Sequence, residues 1–260
     1  MRFAFAPLLA VFFTGSALAQ SNEDLAKKLS NPVANLTSVP FQFNYDGDIG
    51  ASDGDKVFVN IQPVIPTSIS EDWNLISRTI LPVVWQDDVV AGTDQFGLGD
   101  TVQSLFLSPK EPVGGFILGF GPVFLLPTAT DDALGAEKWG AGPTGVILRQ
   151  SGPWTMGALA NHIWSFAGSD SRREVSSTFI QPFLAYTTAS ATTFALNTEA
   201  TYDWKGDDWA VPIHFQVNQL LDIGGQKMQL GGGVRYWLES ANNGPEGFGA
   251  RMNVVFLFPK

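Results

Sequence analysis

Apolar and polar positions alternate along most of this chain with a period of two, the signature of strands with one oily and one polar face. The pattern is cleanest over 191–204, ATTFALNTEATYDW. There Thr192, Phe194, Leu196, Thr198, Ala200, Tyr202 and Trp204 oppose Ala195, Asn197, Glu199, Thr201 and Asp203. The same alternation predicts strands over 39–46, 57–65, 209–219, 228–239 and 248–258. Less regular versions fall at 73–85, 97–108, 115–127, 138–149, 153–166 and 176–186. Twelve strands result, at roughly 20 residues for each strand and its connection, which suits membrane-spanning strands of about 9–11 residues.

The connections sort by length. PTSISED, SPKEPVG, RQSGP, TTASA and LLDIGGQ follow the even strands and are short. Those after the odd strands are mostly longer and acidic, as in DGDIGASDGDK, WQDDVVAGTDQ and TATDDALGAEK. Short turns at one end and long loops at the other are expected of an outer-membrane barrel, and a soluble sandwich has no reason to sort its loops this way. The predicted fold is therefore all-β: a transmembrane, antiparallel, up-and-down β-barrel of about 12 strands. Its oily face looks out to lipid and its polar face into the lumen. Six prolines fall inside predicted strands, Pro63, Pro82, Pro122, Pro143, Pro182 and Pro212. Each removes a ladder donor and predicts a bulge or bend.

The first residues do not belong to this pattern. Arg2, an apolar run from Phe3 to Phe13 and the small-residue site Ala17-Leu18-Ala19 predict a signal peptide over 1–19. Residues 20–36 form the next predicted unit, with a short helix over 21–30 in which Ser21 or Asn22 caps and Glu23 and Asp24 occupy the first turn. Pro32 follows its end. Residues 37–260 make up the barrel.

Composition narrows the function classes. The chain has 25 acidic against 15 basic residues, which argues against a nucleic-acid partner. It holds no cysteine, so an exported protein must rely on a large core or a closed sheet. Phe 20 and Trp 8 beside only 15% charged residues suit a lipid-facing surface.

Catalysis and metal binding find little support. Of the two histidines, His162 shares a face with Trp164 and Phe166, and His214 is predicted to face the lumen beside Gln216 and Asn218. No Gly-x-Ser-x-Gly elbow or compact Ser/His cluster accompanies either, so no catalytic residue is assigned. The pairs Asp87-Asp88, Asp131-Asp132 and Asp207-Asp208 lack calcium-loop spacing and read as a solvated rim. Such a rim can share divalent cations with lipopolysaccharide phosphates. No metal or cofactor is assigned. The candidates for lumen chemistry are Arg78, Glu199, His214, Arg235, Glu239 and Arg251, as a selectivity ring or as a plug of paired charges.

NIQPVIPTSISEDWNLISRTILPV, FGLGD, LPTATDDALGAEKWGAGPT and GALANHIWSFAG resemble the outer-membrane family labelled "putative MetA-pathway of phenol degradation". The resemblance runs from LSNPVANL to the terminal FLFPK. It implies a Gram-negative outer-membrane barrel, often labelled a transporter, and its label points to aromatic or hydrophobic solutes. It also implies that the assembly machinery reads the C-terminal strand through Phe258, here trailed by Pro259-Lys260. Two readings stay open: a passive channel for a small-molecule solute, or a closed barrel with a structural or envelope-interaction role. Outer-membrane lipid and lipopolysaccharide are partners under both.

Overall fold

A computed structural model describes residues 21–259, so the predicted signal peptide lies outside the described residues. Fifteen strand segments follow one short helix, α1 (Asn22–Leu29). They are β1 (Thr37–Ile49), β2 (Gly54–Ile61), β3 (Val64–Ser68), β4 (Trp73–Val90), β5 (Thr93–Leu98), β6 (Thr101–Pro109), β7 (Ile117–Leu126) and β8 (Lys138–Ser151). Then come β9 (Trp154–Gly168), β10 (Ser176–Thr187), β11 (Thr192–Thr198), β12 (Ala200–Asp203), β13 (Asp208–Ile223), β14 (Gln226–Glu239) and β15 (Phe248–Phe258). The pairs β2/β3, β5/β6 and β11/β12 are each one stave of the wall, interrupted once, so the barrel has twelve staves. All twelve predicted strands are present. Antiparallel pairing of β1 with β15, from Thr37 opposite Phe258 to Tyr45 opposite Ala250, closes the sheet. Closure leaves no free edge in the hydrocarbon, which is what lets a strand protein sit there.

The faces follow the alternation. Phe194, Leu196, Phe215, Val217, Val234 and Met252 are exposed on the outside, while Asn44, His214, Gln216, Asn218, Arg235 and Arg251 are buried inside. Rings collect at both ends of the outer wall. Tyr202 packs on Trp204 and Trp209 near the long loops, and Trp154 packs on Tyr186 near the short turns. Their amphipathic rings suit the two membrane interfaces.

Each of the six prolines coincides with an interruption. Pro63 separates β2 from β3, and Pro82 lies where β4 stops pairing with β5 and begins pairing with β6. Pro122 and Pro143 stand opposite each other, and the ladders on either side of them skip. Pro182 faces the skip at Glu199, and Pro212 sits at a bulge against β14. Gly142 belongs to the same weak zone: a Cβ there would stand 1.7 Å from the His162 carbonyl oxygen. Gly142→Ala forces one backbone off the other. It should lower stability by at least about 1–3 kcal/mol, the usual cost of overpacking. Denaturant unfolding in detergent checks this, and a change under about 0.5 kcal/mol would refute the contact.

Two connections predicted as long loops are strand instead. β1 and β2 run on to a single 3-10 turn at Gly50–Ser52, and β4 and β5 meet at Ala91-Gly92. Polar residues on both faces hide strands that continue into water, because no alternation marks them. At the other end, residues 220–223 of the predicted LLDIGGQ turn belong to β13.

The lumen is also less polar than expected. Leu25 and Ala26 of α1 are buried against Leu220, Val255 and Leu257, whose side chains point inward at the short-turn end. Val33 enters a second inward apolar cluster with Ile76, Phe106, Val146, Leu148 and Leu159. Ser21 caps α1 by accepting from the Asp24 amide at 3.1 Å. An eight-residue helix is marginal alone, so docking holds it. Gln150 Nε2 donates to the Lys27 carbonyl at 2.9 Å, and Lys227 Nζ donates to Asn22 Oδ1 at 2.9 Å. The helix thus stoppers the short-turn end of the barrel.

Candidate functional site

The six predicted lumen residues separate into three groups. Glu199, His214, Arg235 and Arg251 come together in one buried network on the wall. Closure of the sheet builds it, because β15 and β1 become neighbours and Asn44 stands directly opposite Arg251. Asn44 Oδ1 accepts from Arg251 Nε and from Arg235 Nη2, both at 2.7 Å. Arg235 Nη1 donates to both Asp46 oxygens at 2.6 and 2.5 Å, and Trp237 Nε1 donates to Asp46 at 3.1 Å. Arg251 makes a two-pronged pair with Glu199, at 2.7 and 2.9 Å. His214, fully buried, lies 3.6 Å from the same carboxylate.

Two carboxylates face two guanidiniums, so the network is neutral with His214 uncharged. It takes the form of a brace across staves nine to twelve and the first, not of a ring around the lumen. The sequence reading missed Asn44, Asp46 and Trp237. The polar face of the first strand carried the signal, since Asn44 and Asp46 sit two apart there. Only closure shows what they meet.

Glu239 falls outside the network. The bulge between Val211 and Pro212 changes the parity of β14, leaving Glu239 opposite outward-facing Val211, exposed on the rim. This corrects its predicted inward placement: an extra residue in one strand moves every later side chain to the other face.

Arg78 stands alone. Its Nη2 donates to Gln62 Oε1 at 3.2 Å, and no carboxylate among the described residues forms an ion pair with it. It borders a chamber of about 240 Å³ between the charged brace and the end of α1. Gln42, Gln62, Gln216, Asn218 and Asn253 line one side of this chamber.

The long-loop end has its own constriction. The loop at 127–137 folds against the inner face of the β5/β6 stave, where Gly97 and Gly99 leave room for Thr130 and Leu134. Asp100 accepts from the Ala129 and Ala136 amides at 3.2 and 2.6 Å, and Leu98 N–H donates to Thr130 Oγ1 at 2.9 Å. Arg172 of the next loop ties it down by donating to the Asp132 carbonyl at 2.6 Å and to that of Gly135. Below lies an outer vestibule of about 600 Å³ lined by Lys56, Phe58 and Asp100. Farther out, Lys205 Nζ donates to Glu174 at 2.8 Å and holds that carboxyl below its usual range.

His162 lies on the outer wall, as its face predicted. Its ring centre lies 4.0 Å from that of Trp164 at a tilt of 46°, and its Nδ1 shares a hydrogen bond with Thr178 Oγ1 at 2.7 Å. Its Nε2 is 3.5 Å from Ser176 Oγ. Thr178 also accepts from Trp204 Nε1 at 2.8 Å, so these polar groups satisfy one another within the aromatic band.

Residues 33–253 match the family described as "Putative MetA-pathway of phenol degradation". Among solved structures, an outer membrane channel from Pseudomonas putida F1 superposes with TM-score 0.67 at 18% identity, over 86% of this chain and 96% of that one. Outer membrane phospholipase A from Escherichia coli gives 0.51 at 10% identity, over 85% and 90%. The Salmonella typhi outer membrane phospholipase dimer with bound calcium gives 0.51 at 11% identity, over 93% and 99%. At these identities the likeness is one of fold. No curated protein matches the chain.

Proposed function

Since the chain belongs to the MetA-pathway phenol-degradation family and is a closed outer-membrane β-barrel of a Gram-negative bacterium, we propose that it is a passive channel for small organic solutes. One observation carries this reading: the lumen is not filled. Side chains close a barrel of about eight strands, and twelve leave a space to be occupied or kept open. Here the vestibule of about 600 Å³ and the chamber of about 240 Å³ persist between the folded-in loop and α1.

The two ends set the traffic in this proposal. The loop at 127–137 filters entry, and α1 stoppers exit until it moves. The Asp46–Arg235 and Glu199–Arg251 pairs brace the wall, and Arg78 is the charge a solute meets. The reading involves no covalent step. His214 has no hydrogen-bonded serine among the described residues.

Single-channel recording of the refolded mature protein in a planar bilayer tests it. Small discrete steps are expected, narrower than those of general porins. A folded barrel that stays silent, even after α1 is released, would support the competing closed-barrel reading. In that reading the acidic rim binds lipopolysaccharide through shared divalent cations. The expected recognition of Phe258 by the assembly machinery is independent of this choice. Phe258→Ala should slow membrane insertion in cells, and unchanged surface levels would rule that role out.

A further inference from the structure

The chamber above α1 has a chemistry unlike the rest of the molecule. The chain carries 25 acidic and 15 basic residues, yet the chamber wall holds Lys28 and Arg78 and no carboxylate. Glu199, next along the wall, is committed through both oxygens to Arg251. The brace thus takes up the nearby negative charge, and Arg78, which feels Glu199 only from beyond ion-pair distance, has no ion pair among the described residues. Its only side-chain partner among the described residues is Gln62.

The amides on the chamber wall are set to donate. Asn253 Nδ2 donates to Gln216 Oε1 at 2.5 Å and to Asn218 Oδ1 at 3.1 Å. Both acceptor oxygens are therefore occupied, and the NH₂ groups of Gln216 and Asn218 are left for the chamber. Gln62 Nε2 in turn donates to Gln42 Oε1 at 3.3 Å, which fixes Gln62 Oε1 toward Arg78. Arg78 keeps its remaining N–H groups for something else. A guanidinium with neighbouring amide donors is matched by a planar oxyanion that accepts several hydrogen bonds at once.

Apolar side chains share the wall with these amides. Leu29, Leu36, Phe183, Ala185 and Val255 line the same space. A bare inorganic anion would leave this surface wet, whereas a carboxylate on a short hydrocarbon or ring would cover it. The volume, about 240 Å³, is below the usual range for drug-sized ligands, roughly 300–1,000 Å³.

We propose that the chamber is a binding site for a small amphiphilic carboxylate. Its carboxylate pairs with Arg78 and takes donors from the amide-bearing wall, and its hydrocarbon covers the apolar lining that includes Leu29, Phe183 and Val255. As the solute class of a channel this rests on the channel reading above; as a binding site it does not.

Benzoate, titrated calorimetrically into the full refolded barrel in detergent, is the probe. Benzamide keeps the ring and removes the charge, and inorganic phosphate keeps a charge and removes the ring. Saturable benzoate binding is expected, weakened about tenfold or more in Arg78→Gln and partly restored in Arg78→Lys. Arg78 has no ion partner to strand, so both variants should fold, and circular dichroism verifies this. Absent benzoate binding, equal binding by benzamide or phosphate, or a folded Arg78→Gln that binds as well as the parent would each overturn the proposal. Conductance is read separately. A silent barrel that binds benzoate through Arg78 rejects the channel and keeps the site, and a conducting barrel indifferent to benzoate does the reverse.

Discussion

Asp46→Ala should lower the unfolding free energy of the refolded barrel by about 3–5 kcal/mol, the usual cost of removing one partner of a buried ion pair. Asp46 and Arg235 are only 4% and 3% exposed. The carboxylate accepts two hydrogen bonds from Arg235 and one from Trp237. Without it the guanidinium keeps only Asn44 as a side-chain hydrogen-bond partner, in a space that also holds Arg251. The repulsion that Asp46 offset then acts between β14 and β15, beside the closing seam of the sheet. Asp46→Asn restores acceptor capacity but not charge, so it should fall between parent and Ala. Denaturant titration in micelles gives the numbers. A loss under about 1 kcal/mol would mean that water reaches the pair and that it behaves like an exposed salt bridge.

Releasing the stopper should have the larger functional consequence. Leu25 is 1% exposed and packs with the apolar inner wall at Leu220, Val255 and Leu257. Leu25→Ala should weaken docking by at least about 2 kcal/mol, or roughly 30-fold in the undocked population. Leu25→Asp goes further, since an unpaired carboxylate cannot stay in that contact. Both changes leave the strand ladders intact, so the barrel should refold normally. Larger or more frequent conductance steps are expected, together with faster trypsin cleavage after Lys27 or Lys28. If conductance is unchanged while the protease sites open, the narrowing lies elsewhere, and the loop at 127–137 becomes the gate to test.

Much of the fold was legible because lipid imposes a strict rule. Outward positions must be apolar and the backbone must be paired, so each stave writes its face into a two-residue alternation. Phe194 and Leu196 facing out, with the Glu199 row facing in, followed from that rule alone. So did the breaks at the six prolines, because a missing N–H cannot join a ladder.

The inner face obeys no such rule, and there the sequence was a poorer guide. Ile76, Phe106, Leu220 and Leu257 look inward although they are apolar, because α1 and Val33 supply a partner that periodicity does not reveal. Glu239 kept the right parity in the sequence and lost it to a bulge.

The sequence by itself determined a closed, lipid-embedded sheet of twelve strands, the sorting of its turns and the polar row that lines it. Each is a local consequence of one residue meeting one solvent. Which charges pair was decided only in the tertiary structure. Asn44 and Arg251 lie 207 positions apart and meet because the last strand closes on the first. That closure brings Asp46 to Arg235 beside the Glu199–Arg251 pair, while Arg78 forms no ion pair among the described residues. Pairing depends on distance across the barrel, and no period along the chain encodes it.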